Sequence, residues 1–376
     1  MPTLEPSVLF SPIVLGDREF ANRILVSPMC QYAAVDGLAQ PWHAMHIGGF
    51  AKANPGAVIM EATGVEPRGR ISPACLGLWN DAQEAGLARL VTDIRTYSTT
   101  PLGIQLGHAG RKASTQSPWL GDRRGEALSD AEGGWPVVGP SAFAFDDTYR
   151  EPVELDRTGM LSIIEAFASA AARAVRAGFD LVEIHAGHGY LISSFISVQS
   201  NRRADAYGGD LENRMRFPLE IVAAVRAVLP QDFPLGVRID VDDWIDDSSA
   251  KAESPVYAQA LAGLGVSYIA ASAGAISPRM RRPLVTPGYM LPLARHLKDA
   301  VDIPVAGLGM IVTPDQAEAA VSAGDADMVA IARGFLDDPH WSLHAADRLG
   351  VRIARTGAYG AATPRTWPGY QSVHPK

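Results

Sequence analysis

The sequence predicts an α/β fold of the (β/α)8 barrel type, and three observations carry that expectation. Eight short β-branched runs recur along the chain, with stretches of helical spacing between them. Most of the runs are continuously apolar rather than alternating, as strands of a parallel sheet covered on both faces require. Polar residues and glycines gather where each run ends, and in a barrel the chemistry sits at the C-terminal ends of the strands. An open doubly wound sheet would instead place GxGxxG after the first strand, where the sequence reads SPMCQYAAVDG.

The elements follow in order. Residues 9–24, LFSPIVLGDREFANRI, read as a hairpin around Gly16-Asp17 that closes the N-terminal mouth of the barrel. Barrel strands are expected at 23–29, 57–62, 101–106, 181–185, 234–239, 268–272, 304–307 and 328–331. Helical spacing is clearest over 161–177, with Gly178 as its stop, and recurs at 217–228, 257–264, 290–300 and 314–323. Thr313-Pro314 supplies a cap and a first-turn proline for the last of these. After the third strand, residues 107–156 form a long stretch rich in Gly, Pro and Trp, read as a lid or subdomain over the active face. The whole chain, 1–376, is expected to form a single barrel domain ending in an extended tail at 363–376.

Of the 376 residues 47% are hydrophobic and 20% charged, which supports a large core and excludes global disorder. A net charge of -8 leaves no basic excess for phosphates and argues against a nucleic-acid partner. Two cysteines, Cys30 and Cys75, provide neither a disulfide framework nor a CxxC pair for zinc or an iron–sulfur cluster. The opening MPTLEPSVLF lacks a secretory pattern, and no apolar run reaches the roughly 18 residues of a spanning helix. No membrane partner is expected, and the expected location is the cytoplasm.

Several strand ends carry candidate chemistry. In HAGHGY, His185 and His188 stand three apart with Tyr190 two further on. Two imidazoles at this spacing can donate hydrogen bonds to one carbonyl oxygen, and a nearby phenol can deliver a proton at neutral pH. A zinc site or a pair of structural histidines remain alternatives for HxxH alone. The glycine-rich turns AGLGM (306–310) and ARGF (332–335) follow strands seven and eight, the usual phosphate site of this barrel, where Arg333 adds a charge-assisted contact. Gln105 offers an amide that donates and accepts at once, as the edge of a flavin pyrimidine requires. Arg238 ends an apolar strand where a cation would stabilise a reduced flavin, with a salt bridge to Asp240 or Glu183 as the plainer alternative.

Taken together, SPMC at 27–30, QLGHAGRKA at 105–113, HAGHGYLISSFIS at 185–197 and SNRRADAYGGDLENR at 200–214 resemble the Old Yellow Enzyme family of FMN-dependent ene-reductases. The cysteine after SPM resembles the family's bacterial branch. The resemblance implies FMN above the barrel, NADPH or NADH as hydride donor, and a small-molecule activated alkene, its C=C conjugated to a carbonyl or nitro group, as substrate. It further implies that Pro28, Met29, Cys30, Ala62, Gln105 and Arg238 line the isoalloxazine, and that Gly309 and Arg333 hold the phosphate. By the same resemblance His185 and His188 anchor the substrate oxygen, Tyr190 donates the proton and Tyr32 borders the substrate pocket, with no metal. The chain departs from the family pattern at Val198-Gln199, at Asp210 in place of serine, and at Ala332 in place of glycine. The resemblance also implies a homodimer or larger even assembly, with Arg365 or Trp367 of the tail bordering a neighbouring subunit's pocket. Packing of the tail on its own barrel is the alternative.

Overall fold

The computed structural model describes residues 6–119 and 125–373; parts of the expected insertion (120–124) and tail (374–376) lie outside the described residues. Strands β1 (Ile13–Leu15) and β2 (Arg18–Phe20) form the antiparallel hairpin, with Leu15 and Phe20 buried. Its turn is fixed to the N-terminal mouth of the barrel: the Asp17 N–H donates to the Asp232 carbonyl at 2.8 Å, and Arg18 pairs with Asp180 at 2.6 Å.

Eight parallel strands close the barrel in the order β3 (Ile24–Val26), β4 (Ala57–Gly64), β5 (Leu102–Gly107), β8 (Leu181–Ala186), β9 (Leu235–Asp242), β10 (Tyr268–Ala273), β11 (Val305–Gly307) and β12 (Met328–Ile331). The two missing labels belong to the insertion, where β6 (Val138–Gly139) and β7 (Val153–Glu154) make a short parallel pair. All eight expected strands are present. β3 is shorter than expected because the chain leaves the sheet at Ser27, and β9 runs on to Asp242, which brings Asp240 into the strand.

Around the barrel run α1 (Pro41–Ala51), α2 (Asp81–Arg95), α3 (Arg157–Arg176), α4 (Leu191–Ile196), α5 (Leu211–Val228), α6 (Ala250–Gly263), α7 (Leu291–Lys298), α8 (Pro314–Ser322), α9 (Arg333–Asp337) and α10 (Trp341–Arg348), with α11 (Tyr370–Val373) in the tail. By length and composition α3 could cross a membrane, but Met160, Ile163, Phe167, Ala170, Ala171 and Ala174 bury its apolar face against the barrel.

Three helices begin earlier than their spacing predicts: α3, at Arg157, and α5 and α6, each of which has a proline inside it. In α5, Pro218 stands well inside the helix, which is capped by Asp210 accepting from the Asn213 N–H at 2.9 Å. In α6, Pro255 cannot bond the Lys251 carbonyl four residues back. That oxygen is taken instead by the Ser254 hydroxyl at 3.3 Å and by His296 Nε2 at 2.8 Å.

Within the tail the Tyr370 hydroxyl donates to Asp347 of α10 at 2.5 Å, whereas Trp367 stays 42% exposed.

Candidate active site

A cavity of about 650 Å³ opens at the C-terminal ends of the strands, lined by Ser27, His188, Arg238, Ser272, Gly309 and Arg333 among others. Its size is that of a small-ligand site. His185, Tyr190 and Ala62 line a narrow crevice beside it, together with Cys75.

The loop after β3 carries Pro28, Met29, Cys30 and Tyr32, all half-buried. It is pinned by the buried Glu61 on β4, which accepts the Gln31 N–H at 3.0 Å and lies 3.3 Å from His43 of α1. Burial, with the negative charge of Glu61, pushes the Cys30 thiol well above its ordinary value, so it stays protonated. Tyr32 is held at φ +51 with its ring edge-on to Trp119 of the insertion, centroids 4.8 Å apart.

The histidines are brought together, in series rather than side by side. His185 Nδ1 accepts the Gly187 N–H at 3.3 Å, which leaves its Nε2 to carry the proton of a neutral ring. That Nε2 lies 3.2 Å from His188 Nδ1, and His188 Nε2 lies 2.7 Å from the Ser272 hydroxyl on the cavity wall. Burial, reinforced by the charges of Arg238 and Lys112, drives both imidazoles well below their ordinary values, so both are neutral at pH 7. With this tautomer chain His188 directs its Nε2–H at the Ser272 hydroxyl on the cavity wall. Tyr190 caps the start of α4, its ring 5.1 Å from that of His185, and burial raises its phenol so that it keeps its proton. Among the described residues no group of three His, Cys, Asp or Glu side chains is placed to hold a metal ion.

Beneath the cavity the barrel interior is polar. Gln105 donates one amide hydrogen to Glu183 at 2.7 Å, and the Tyr268 hydroxyl donates to the other Glu183 oxygen at 2.8 Å. Desolvation raises the Glu183 carboxyl. Arg238, above this layer, makes only long contacts, 3.4 Å to Ser27 and 3.5 Å to both Ser272 and His188. Its Nε is buried and unpartnered among the described residues. The salt-bridge alternative for Arg238 is therefore not what the side chain does; its donors remain available.

The two glycine-rich turns meet on the far wall. Gly309 adopts φ +105, and a Cβ there would lie 2.6 Å from Met290 Cβ, so only glycine fits so close to the start of α7. Arg333 opens α9 at the rim and is exposed. Arg365 is not brought to this cavity. It borders a separate groove with Arg352 and Arg355.

Sequence reading alone did not single out Ser27 as a cavity residue, nor the contacts of Lys112. Lys112 donates to the carbonyls of His188 at 2.8 Å and Ala275 at 3.0 Å and sits 4.6 Å from the ring centre of Phe145. Phe143 is likewise covered by the guanidinium groups of Arg111, at 5.9 Å, and Arg202, at 3.6 Å. The signal for Lys112 was present as a basic residue within QLGHAGRKA, but its acceptors come from distant strands.

Comparison with known proteins gives a consistent family. Residues 8–350 match the sequence model of the NADH:flavin oxidoreductase / NADH oxidase family. The chain is 39% identical to an NADPH dehydrogenase of Geobacillus thermodenitrificans, over 92% of this chain and 96% of the relative. It is 38% identical to an NADPH dehydrogenase of Bacillus subtilis, with the same coverage. Among solved structures, morphinone reductase in complex with tetrahydroNAD superposes with a TM-score of 0.75 at 26% identity, covering 96% of this chain and 94% of that one. The chain belongs to the NADH:flavin oxidoreductase / NADH oxidase family, and within it is an oxidoreductase of the FMN-dependent Old Yellow Enzyme type.

Proposed function

We propose that this enzyme is an ene-reductase that takes hydride from NADPH or NADH and reduces the C=C bond of α,β-unsaturated carbonyl or nitro compounds. The observation that carries the reading is the neutral hydrogen-bond chain from His185 to His188 Nε2–H at the cavity, beside a protonated Tyr190 and the cation Arg238. Morphinone reductase, the solved neighbour, is named for a reduction and is held with tetrahydroNAD.

FMN fits the residues present. Gly309, where a side chain would strike Met290, leaves backbone exposed on the phosphate side, with Arg333 at the rim. Arg238 carries spare buried donors, and Gln105 has committed one amide hydrogen and keeps a second. Ala62 lines the adjoining crevice with His185 and Tyr190, and the half-buried 28–30 loop follows Ser27 of the cavity wall. Bound there, FMN supplies the hydride relay between nicotinamide and alkene.

The protein's own groups do the rest. His188, supported from behind by His185, holds the substrate oxygen and stabilises the charge that develops on it; a preorganised donor of this kind is worth about 3–4 kcal/mol. Tyr190 gives a proton to the α-carbon. Arg238 balances negative charge on the ring side of the cavity. The 107–156 insertion serves in this reading as a cover, supported by the contacts of Trp119 with Tyr32 and of Phe145 with Lys112. We further propose that it acts in the cytoplasm as an even-numbered homo-oligomer of single-domain barrels. Arg365 lies apart from its own cavity and Trp367 is half-exposed, which supports a place for one of them beside a partner's pocket.

The purified protein tests the reading. It should carry visible flavin absorbance that NADPH bleaches and cyclohexenone or maleimide restores, and heat should release FMN alone by mass spectrometry. A colourless protein, or one whose bleached flavin no activated alkene reoxidises, would refute it.

A further inference from the structure

His188 is not a glycine, yet its φ is +60, a left-handed conformation that a side chain disfavours. Both of its peptide groups are gripped by half-buried side chains. The His188 N–H donates to Asp240 Oδ2 at 2.5 Å, and the His188 carbonyl accepts from Lys112 Nζ at 2.8 Å. The grip requires a close approach: a Cβ on Gly187 would lie 2.8 Å from Asp240 Oδ1. Lys112 also holds the carbonyl of Ala275, which has φ +65, so the amine ties two left-handed residues on neighbouring loops together.

We propose that Asp240 and Lys112 are positioning residues, a two-sided clamp that holds the His188 backbone in its left-handed conformation and so aims the imidazole into the cavity. The inference rests on the proposed role of His188 as the substrate-oxygen donor. Asp240 reaches the site only because β9 continues past Arg238, placing it one inward-facing position further along the strand. Burial pushes the Asp240 carboxyl up and the Lys112 amine down to about 8, which leaves the amine protonated at pH 7 and able to donate to both carbonyls.

The test is a double-mutant cycle on the holoenzyme, with amide hydrogen exchange on the FMN-free protein as a second readout. Asp240→Ala should lower kcat/KM for an enone such as cyclohexenone by roughly 10- to 100-fold, as expected for stranding a buried backbone donor. In a His188→Ala background the same change should cost no more than about twofold, because the effect runs through His188. Asp240→Asn, whose amide oxygen still accepts, should stay within about threefold of wild type. In the FMN-free D240A protein the peptide spanning residues 185–195 should exchange at least about tenfold faster, with the peptide over 161–176 unchanged. If D240A does not fold, Asp240→Ser, whose hydroxyl stops a bond short of the His188 N–H, replaces it in both arms. Multiplying effects of D240A and H188A, equal losses in D240N and D240A, or unaltered exchange over 185–195 would each overturn the clamp. A His188→Ala enzyme with unchanged enone turnover would instead overturn the assigned role of His188, and the exchange arm would still decide the clamp.

Discussion

Gly309→Ala should detach FMN without unfolding the barrel. Two costs follow from the structure. The backbone sits at φ +105, a region that costs an L-residue about 1–3 kcal/mol. The new methyl would lie 2.6 Å from Met290 Cβ and 3.0 Å from Met290 N, where the neighbour is main chain and buried side-chain base, and overpacking of this kind costs about 1–3 kcal/mol. In the FMN-free protein the turn relieves both by shifting, so the cofactor must restore the strained form when it binds. A total of about 2–6 kcal/mol corresponds to a loss of roughly 30-fold to about 10⁴-fold in FMN affinity. Titration of FMN into the cofactor-free protein, followed by quenching of flavin fluorescence, measures it. Gly324→Ala is the control: it has φ +76 and a similar backbone cost, but a Cβ there would meet nothing closer than Arg295 Nη1 at 3.9 Å, and it lies after α8, away from the cavity. An FMN dissociation constant in Gly309→Ala within about threefold of wild type, or an equal loss in Gly324→Ala, would refute the reasoning.

Replacing Tyr190 by Phe should slow flavin reoxidation by an enone about 10²–10⁴-fold while leaving reduction by NADPH nearly unchanged; stopped-flow traces in which both halves slow equally would remove the proton-donor role. Cys30→Ala should shift the flavin reduction potential with activity retained, and an unchanged midpoint would reduce Cys30 to a packing residue. Deleting residues 364–376 should raise KM with FMN retained and change the mass in solution; unchanged values of both would keep the tail out of any shared site. Lys112 is pushed by burial from 10.5 down to about 8, so between those values the unfolded chain binds the extra proton and stability rises with pH. The stability of wild type relative to Lys112→Met should therefore increase by about 3 kcal/mol from pH 8 to pH 10.5 in denaturant titrations, and a flat difference would place the amine in water.

The barrel was legible because parallel strands buried on both faces leave continuous apolar runs, such as LVEIHA at β8 and MVAI at β12. The starts of α5 and α6 were not, since Pro218 and Pro255 interrupt the helical spacing near the expected starts while the folded helices carry them inside. Helix α1 carries two adjacent glycines and two histidines and shows no periodic face, so tertiary contact rather than pattern makes it helical. By contrast α2 repeats buried residues at Leu87, Leu90, Val91 and Ile94, a spacing available in the sequence. At the site, every candidate at a strand end could be named from its position. The series arrangement of His185 and His188 could not, because it depends on which ring nitrogen the Gly187 N–H meets. The reach of Asp240 was equally hidden: it follows from the register that sets His185 beside Arg238 across β8 and β9.

The edge-on contact between Tyr32 and Trp119 joins the loop after β3 to the insertion, two segments far apart in the chain. Efforts to widen the substrate range by randomising position 32 will therefore also alter how the cover seats, and the best residue at 32 will depend on what stands at 119. Libraries that vary the two positions jointly should reach variants that stepwise substitution passes over, because each single change first breaks a ring pair that only a compensating change at the other position can rebuild.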